Sequence, residues 1–175
     1  QAQARQDPLT ALANRLQMQE WLEAALCRAE AQRARVALLY LDLDRFKDIN
    51  DRYGHPFGDR VLQAFAARLE AALPEEARAA RLGGDEFLVL LPRVDAPAQA
   101  LAEAERLCGL LSQALSIEGQ FLEPGPSIGL ALFPDEAQGA AELVREADRA
   151  MYRAKAAGGA CVRGGALMRG PGSSG

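Results

Sequence analysis

The sequence predicts an α/β fold in which helices flank a mixed, largely antiparallel sheet. Residues 36–43 form a continuous run that is apolar except for Asp42 near its end, which is typical of a strand buried on both faces. Gly83 and Gly84 separate two short strand patterns, and two glycines allow the tight turn of a β-hairpin. Helical patterns alternate with these strands, so a sandwich of two or three layers is expected.

Helix patterns dominate the first half of the chain. Apolar residues at helical spacing predict a first helix, which follows a turn signal at residues 7–10. Asp44 can cap a short helix after the first strand, and Asp59 can cap a longer helix that ends at Pro74. The elements expected here are a helix over about residues 15–33, a strand over 36–43, helices over 44–52 and 59–73, and a loop at 54–58.

The second half begins with the hairpin and closes with a helix and a short strand. Its two helices are predicted from apolar stripes, one from Leu101 to Leu111 and one from Leu143 to Met151. The elements expected here are strands over about residues 78–82 and 85–91, a helix over 98–115, strands over 117–122 and 127–133, a helix over 140–156 and a strand over 160–163.

Length and composition fit one globular domain. The chain has 175 residues, 49% of them hydrophobic and 25% charged, which is enough to bury a core. We expect residues 1–6 to be the end of an upstream linker helix, residues 7–163 to form the domain, and residues 164–175 to be a flexible C-terminal tail. The net charge of −4 argues against a protein that coats nucleic acid, but a local site can still bind a small phosphorylated ligand.

The cysteines and the single histidine argue against several classes of site. Cys27, Cys108 and Cys161 lie far apart and form no CxxC pair, so we expect a reducing, cytoplasmic setting without a disulfide framework or a zinc site. His55 has no serine or cysteine near it in the sequence, which disfavours a nucleophile activated by histidine. No apolar run reaches about 18 residues, so no membrane span is predicted within this chain.

Two carboxylates are predicted to meet at the end of the first strand. Asp42 ends that strand and Asp85 and Glu86 follow the Gly-Gly turn, so Asp42 and Asp85 converge if the hairpin pairs beside the strand. Two carboxylates and the backbone oxygen between them suit Mg²⁺, which usually shares its coordination with substrate phosphates. An equally good interpretation makes Asp42 and Asp44 a strand-end and helix-cap pair. Residues 44–47 enter a helix from a strand, and free N–H groups there would favour a nucleoside triphosphate.

Several motifs follow one another in a fixed order. They are Asp7-Pro8-Leu9-Thr10 with Asn14-Arg15, Asp42-Leu43-Asp44-Arg45-Phe46-Lys47-Asp48-Ile49-Asn50-Asp51, Gly54-His55-Pro56-Phe57-Gly58-Asp59, Gly83-Gly84-Asp85-Glu86-Phe87, Ser127-Ile128-Gly129, and Ala147-Asp148 with Met151-Tyr152-Arg153-Ala154-Lys155. Together they resemble the GGDEF family, the diguanylate cyclases. The resemblance covers about residues 7–162, and the combination of motifs is highly specific.

The resemblance implies a fold and an activity. The fold would be similar to the palm of polymerases and nucleotidyl cyclases, with a five-stranded sheet and flanking helices. Two such domains would each hold one GTP, face each other as a homodimer, and make cyclic di-GMP with release of two pyrophosphates. An upstream sensor or regulatory domain is also implied, and nucleic acid is not expected as a partner.

The same resemblance assigns roles to individual residues. Asp42, the Leu43 carbonyl and Asp85 would ligate Mg²⁺ or Mn²⁺. Glu86 would be a further ligand or would assist deprotonation of the ribose 3′-hydroxyl. The residues expected to bind GTP are Asn50 and Asp59 for the guanine, the backbone amides around Arg45 and Phe46 together with Lys155 for the terminal phosphates, and Gly83 and Gly84 of the signature turn.

Two departures from the family pattern stand out. Pro74 and Ala77 occupy the two positions at which the family usually carries the RxxD of its product-inhibition site, so no inhibition is expected through that site. Arg78 and Arg106 could form something weaker, although each is more simply a solvated surface charge. Gly159 stands where the family usually has an arginine that reaches the phosphates, and its loss could weaken GTP binding.

Three functions are therefore compared. An active diguanylate cyclase is favoured by the intact signature and by both metal carboxylates. A non-catalytic GTP-binding regulatory domain is favoured by the missing arginine. A purely structural dimerisation module is the third and weakest hypothesis.

Overall fold

The computed structural model of the protein describes residues 4–159 and 162–165. The helices in these residues are α1 (Arg15–Gln32), α2 (Phe46–Tyr53), α3 (His55–Ala72), α4 (Pro97–Leu111) and α5 (Ala140–Ala156). The strands are β1 (Arg35–Leu43), β2 (Arg78–Gly83), β3 (Glu86–Val94), β4 (Leu115–Ile117), β5 (Gln120–Leu122), β6 (Pro126–Phe133) and β7 (Val162–Gly164).

The main sheet has five strands in the order β2-β3-β1-β6-β7. Its neighbours are antiparallel except β6 and β7, which run parallel, so the predicted mixed and largely antiparallel sheet is confirmed. The central strand β1 lies between β3 and β6, and its last residues face the start of both neighbours. Asp42 is opposite Glu86 on β3 and Ser127 on β6.

Strand β1 is buried on both faces, as the apolar run predicts. Leu39, Leu41 and Leu43 pack into a core with α3 and α4, whereas Leu38 and Tyr40 pack against α1 and α5. The fold therefore has three layers, with helices on both sides of the sheet. Because side chains alternate along a strand, Asp42 falls on the same face as Tyr40, the face that α5 covers.

Helix α3 begins earlier than the sequence predicts, because residues 54–58 are not a loop. The helix begins at His55, Gly54 is its N-cap, and Pro56 lies in its first turn. Proline suits this place because the first N–H groups of a helix have no partner within it. Asp59 therefore lies inside α3, and the prediction that it caps the helix was wrong.

Asp44 is also not a helix cap. The N-cap of α2 is Arg45, which has a φ of 58°, and no side chain caps this helix. One Asp44 carboxylate oxygen instead accepts a hydrogen bond from the Ser127 hydroxyl. The helix-cap interpretation of Asp44 is thus wrong.

Other differences concern turns and chain ends. The region predicted as one strand over 117–122 is a hairpin of β4 and β5, because Glu118 and Gly119 take positive φ angles that end the extended backbone. The predicted strand 160–163 lies partly outside the described residues, and its described part belongs to β7. Residues 4–6 are not helical, since Gln6 forms an isolated bridge with Ala13.

The domain limits remain predictions. Residues 1–3 and 166–175, in the predicted linker helix and C-terminal tail, lie outside the described residues. Gly164, with which the predicted tail begins, is the last residue of β7. Among the described residues, no helix combines the length and the apolarity that crossing a membrane requires.

Helix α5 lies directly on the backbone of β6 at Gly129. A Cβ atom at position 129 would overlap the Ala147 carbonyl oxygen and the Met151 nitrogen, both in α5. Glycine is thus required by the close approach of the helix backbone. The contact also sets where the C-terminal end of α5, which carries Lys155, lies relative to the end of β1.

We predict that Gly129→Ala lowers the free energy of unfolding by about 2–3 kcal/mol, because α5 must move away from the sheet. The matched control is Gly109→Ala on the exposed side of α4, where a Cβ atom meets nothing within 4 Å. That change should instead stabilise the protein by about 0.5–1 kcal/mol, because alanine favours a helix interior. Urea unfolding measures both values, and equal effects at the two positions would contradict the prediction.

Candidate active site

The end of β1 and the β2–β3 turn come together, as the sequence predicts. The Leu43 N–H donates a hydrogen bond to the Asp85 carbonyl oxygen at 3.4 Å. This places Asp85 beside Asp42, and the two side chains interact directly. Asp42 and Asp85 therefore form a pair of carboxylates, with the Leu43 backbone next to them.

The pair is electrostatically unfavourable when both groups are ionised. Burial and the neighbouring Asp85 carboxylate raise the pKa of Asp42 to about 8, and the Lys155 ammonium offsets only part of this rise. In addition, Asp42 Oδ1 is buried and has no hydrogen-bond partner within the described residues. The site thus holds an acceptor without a donor and an excess of negative charge.

A divalent cation fits this arrangement. Carboxylate and backbone carbonyl oxygens are hard ligands suited to Mg²⁺, and a cation would satisfy Asp42 Oδ1 and neutralise the pair. Within residues 4–159 and 162–165, no three His, Cys, Asp or Glu side chains form a complete metal-binding cluster. That agrees with a metal ion that takes its remaining ligands from a phosphorylated substrate and from water.

Glu86 has a fixed position on the other side of Asp42. The Tyr40 hydroxyl donates a hydrogen bond to Glu86 Oε2 at 2.9 Å. Asp148 on α5 is close enough that its pKa is raised, first by burial and then by the Glu86 charge. The sequence analysis missed Tyr40, although a hydroxyl within an apolar strand, two residues before Asp42, was a usable signal.

Lys155 and the start of α2 define a second side of the site. Lys155 Nζ lies 3.5 Å from Asp42 Oδ2 and 3.6 Å from Asp44 Oδ1. Because no side chain caps α2, the backbone N–H groups of its first turn, including that of Phe46, are positioned to meet an anion. The exposed Arg45 precedes them in a left-handed backbone conformation.

Asn50 and Asp59 lie on the neighbouring helices α2 and α3. Asn50 Oδ1 is buried without a hydrogen-bond partner in the described part of the chain, whereas Asp59 is exposed. A Cβ atom at Gly58 would overlap Asn50 Oδ1, so glycine makes room for the amide. Buried acceptors usually have a donor, so Asn50 Oδ1 is available to an N–H group of a ligand.

The glycines of the signature serve the turn itself. Gly83 and Gly84 have φ angles of 143° and 49°, and a Cβ atom at either would meet nothing within 4 Å. The backbone conformation, not crowding, therefore requires glycine there. The central residues of the turn are Gly84 and Asp85, since Gly83 already pairs with Glu86.

Arg81 fixes this turn from the N-terminal side. Its guanidinium donates to the Gly84 carbonyl and to Asp7 Oδ1, each at 2.9 Å. Burial opposes ionisation of Asp7, but hydrogen bonds from Thr10 and the Arg81 charge outweigh it and lower the pKa of Asp7. Gly84, the residue before Asp85, is thus held by a hydrogen bond from Arg81, whose salt bridge with Asp7 the sequence analysis did not predict.

Gly159, the position without the expected arginine, lies against Asp44. Its φ is 79°, and a Cβ atom there would lie 2.5 Å from Asp44 Oδ2. A side chain at position 159 therefore requires Asp44 to move or the backbone to change.

Comparison of this chain with known protein families agrees with these motifs and this geometry. The family model described as "Diguanylate cyclase, GGDEF domain" matches residues 4–161. The chain belongs to the GGDEF family. The diguanylate cyclase TpbB of Pseudomonas aeruginosa is 42% identical over 154 residues, which cover 87% of this chain and 35% of TpbB.

Solved structures of GGDEF domains are similar to this one. The isolated GGDEF domain of P. aeruginosa TpbB has a TM-score of 0.89 and 40% identity, over 93% of this chain and 95% of that one. The GGDEF domain of Caulobacter crescentus DgcB, solved with c-di-GMP, has a TM-score of 0.85 and 30% identity, over 94% of each chain. The chain spans only 19–35% of the length of curated relatives that it matches at 42–44% identity.

The raised pKa of Asp42 predicts how pH affects the metal-free GGDEF domain. The folded protein holds this proton more tightly than the unfolded chain, whose pKa is near 3.8. The contribution to stability is therefore present in acid and is lost as the pH rises towards the folded value of about 8. In buffer that contains a metal chelator, the melting temperature of the wild type should decrease as the pH rises from about 5 to 8. The decrease should be larger in the wild type than in Asp85→Asn.

Mg²⁺ should remove much of this loss at the alkaline end, because it replaces the proton on Asp42. Thermal unfolding followed by circular dichroism measures both effects. An identical pH dependence in the wild type and in Asp85→Asn would contradict the coupling between the two carboxylates.

Proposed function

We propose that this GGDEF domain condenses two molecules of GTP into cyclic di-GMP and releases two pyrophosphates. The observation that carries the proposal is the Asp42–Asp85 pair, with a buried acceptor that lacks a donor, flanked by Lys155 and the start of α2. The site thus offers cation ligands on one side and phosphate-binding groups on the other.

In this proposal, Asp42, the Leu43 carbonyl and Asp85 hold Mg²⁺ or Mn²⁺. When bound, such a metal ion would lower the pKa of the ribose 3′-hydroxyl and would neutralise charge on the reacting and leaving phosphates. Lys155 and the first N–H groups of α2, at Arg45 and Phe46, hold the terminal phosphates. Glu86, oriented by Tyr40, is a further ligand or helps to remove the 3′-hydroxyl proton.

Guanine recognition is assigned to Asn50 and Asp59. Their oxygens accept hydrogen bonds, and guanine offers the N1–H and amino donors that a carboxylate can bind together. Adenine offers neither donor in this arrangement, so the buried Asn50 Oδ1 would stay without a partner, which typically costs about 1–3 kcal/mol. The site residues therefore favour GTP over ATP.

A second copy of the domain completes the reaction. One set of the residues described above binds one GTP, whereas a product with two phosphodiester bonds needs two nucleotides facing each other. A homodimer in the cytoplasm, where GTP is available, is therefore proposed, and an upstream sensor or regulatory domain would bring the two copies together. The DgcB domain solved with c-di-GMP makes this nucleotide a reasonable product.

The decisive experiment incubates the purified domain with GTP and Mg²⁺ and separates the nucleotides by chromatography. We expect cyclic di-GMP from the wild type and at least about a 100-fold lower rate from Asp85→Ala, because the metal site loses a ligand. The assay is repeated with a fused dimerising helix, since the isolated domain alone can be too dilute to pair.

The main alternative is a non-catalytic GTP-binding regulatory domain, and Gly159 in place of an arginine favours it. Saturable GTP binding without product, even in the fused dimer, would select this alternative and overturn the cyclase proposal. If the domain neither binds GTP nor makes product, the remaining hypothesis is a structural dimerisation module.

Product inhibition is expected to be absent. Pro74 and Ala77 offer no side chain for a phosphate or guanine, and the nearby arginines already have partners. Arg106 is paired with Glu103 and donates to the Ala72 carbonyl, and Arg78 donates to backbone carbonyls beside the Trp21 ring.

Initial rates should therefore agree within about twofold with and without added micromolar cyclic di-GMP, since Pro74 and Ala77 supply no charged group to the usual inhibition site. Strong inhibition that disappears in Arg106→Ala would contradict this.

A further inference from the structure

Asp44 is held firmly at the junction of β1, β6 and α5. The Ser127 hydroxyl, which is completely buried, donates to Asp44 Oδ1 at 2.7 Å. The Asp44 N–H donates to the Gly125 carbonyl at 3.0 Å. Both contacts come from the segment around the start of β6, so the carboxylate of Asp44 has a fixed place that does not depend on a ligand.

Lys155 is shared between two carboxylates. Its ammonium lies almost equally far from Asp42 and Asp44, at 3.5 Å and 3.6 Å. The two carboxylates have different tasks in the proposed reaction, however, because Asp42 is a metal ligand and Asp44 is not. Once Asp42 binds a divalent cation, its remaining attraction for the ammonium is weaker, and the like charges of metal and ammonium repel.

We propose that Asp44, anchored by Ser127, is the positioning residue that keeps Lys155 directed at the triphosphate when Asp42 is occupied by metal. Without it, the long and flexible lysine side chain would be free to move into solvent. The inference rests on the proposed function, because it concerns binding of the nucleotide at the same site.

Gly159 increases the importance of the Asp44–Lys155 contact for binding phosphates. The position at which the family usually supplies a phosphate-binding arginine has no side chain here, and the space next to its backbone is filled by the Asp44 carboxylate. The chain thus has a fixed carboxylate, Asp44, next to the Lys155 ammonium, at the place where relatives would have an additional phosphate-binding arginine.

If Asp44 had a purely structural role, substituting it would affect stability and nucleotide affinity differently. If the Ser127–Asp44 bond only joined β1 to β6, its loss would reduce stability and would disturb all ligands alike. Removing a negative charge close to a triphosphate would, by electrostatics alone, strengthen nucleotide binding. A weaker affinity in Asp44→Asn therefore indicates positioning, because the effect has the opposite sign.

The experiment measures binding by calorimetry in Mg²⁺, using guanosine and a GTP analogue with a methylene group between the α- and β-phosphorus atoms. We expect Ser127→Ala and Asp44→Asn to weaken binding of the analogue about fivefold and to leave guanosine binding unchanged within about twofold. In a Lys155→Ala background, both substitutions should change binding of the analogue by less than about twofold, because they act through that lysine.

The matched control is Ser112→Ala, which removes a buried hydroxyl that has no hydrogen-bond partner in the described residues and lies at the end of α4. It should alter neither affinity. Circular dichroism verifies that each variant is folded, and two substitutions on one contact guard against a variant that unfolds.

An unchanged or tighter affinity in both variants, an equal loss for guanosine, or a full additional loss in the Lys155→Ala background would overturn the proposal. So would a wild type that fails to bind the analogue. If the wild type binds the analogue with the expected pattern but makes no cyclic di-GMP from GTP, the positioning role stands and only the cyclase proposal fails.

Discussion

The repulsion between Asp42, at the end of β1, and Asp85, in the adjacent β2–β3 turn, is the constraint on which the rest of this site depends. Strand β1 is packed on both faces and paired on both edges, so the backbone that carries Asp42 is held beside Asp85. The repulsion between them cannot be relieved by a change of position and has to be relieved by positive charge. Lys155 supplies part of that charge, and the raised pKa of Asp42 shows that the lysine alone is not enough.

The neighbouring elements fix the positions of Lys155, which partly neutralises the two carboxylates, and of the turn that carries Asp85. Helix α5 lies on β6 at Gly129 and thereby brings Lys155 to the end of β1. Arg81 connects Asp7 to the Gly84 carbonyl and so holds the turn that carries Asp85. The site is therefore built from rigid elements on three sides, which is the condition for placing charges to within a few tenths of an ångström of where the chemistry needs them.

The parts of this structure that depend on local sequence were predictable, and those that depend on distant contacts were not. The apolar run of β1 and the Gly-Gly turn are local patterns, and they predicted that Asp42 and Asp85 converge if the hairpin pairs beside β1, which it does. The start of α3 was missed because glycine and proline suggest a loop, although Pro56 also suits the first turn of a helix.

The missed site contacts have a different cause. Ser127 and Asp44 are 83 residues apart, and Tyr40 and Glu86 are 46 residues apart, so only the register of the sheet brings each pair together. No periodicity within a single element encodes such a pair. The family resemblance named the residues that face the substrate, but the residues that hold them in place became visible only in the fold.

The repulsion between Asp42 and Asp85 also couples nucleotide binding in the proposed function to the protonation of Asp42. At neutral pH a raised pKa keeps a proton on the metal-free Asp42 for much of the time, and this proton, the Lys155 ammonium and a metal ion all compete for the same carboxylate. In the proposed function, a metal-bound nucleotide would therefore have to displace the proton and weaken the hold of Asp42 on Lys155 as it binds. Lys155 would then be left to Asp44 and the phosphates, so the binding event that neutralises Asp42 would also free the ammonium for the substrate. Because Gly159 supplies no side chain where the family usually has an arginine, we expect this exchange to decide whether a cation reaches the triphosphate from that side.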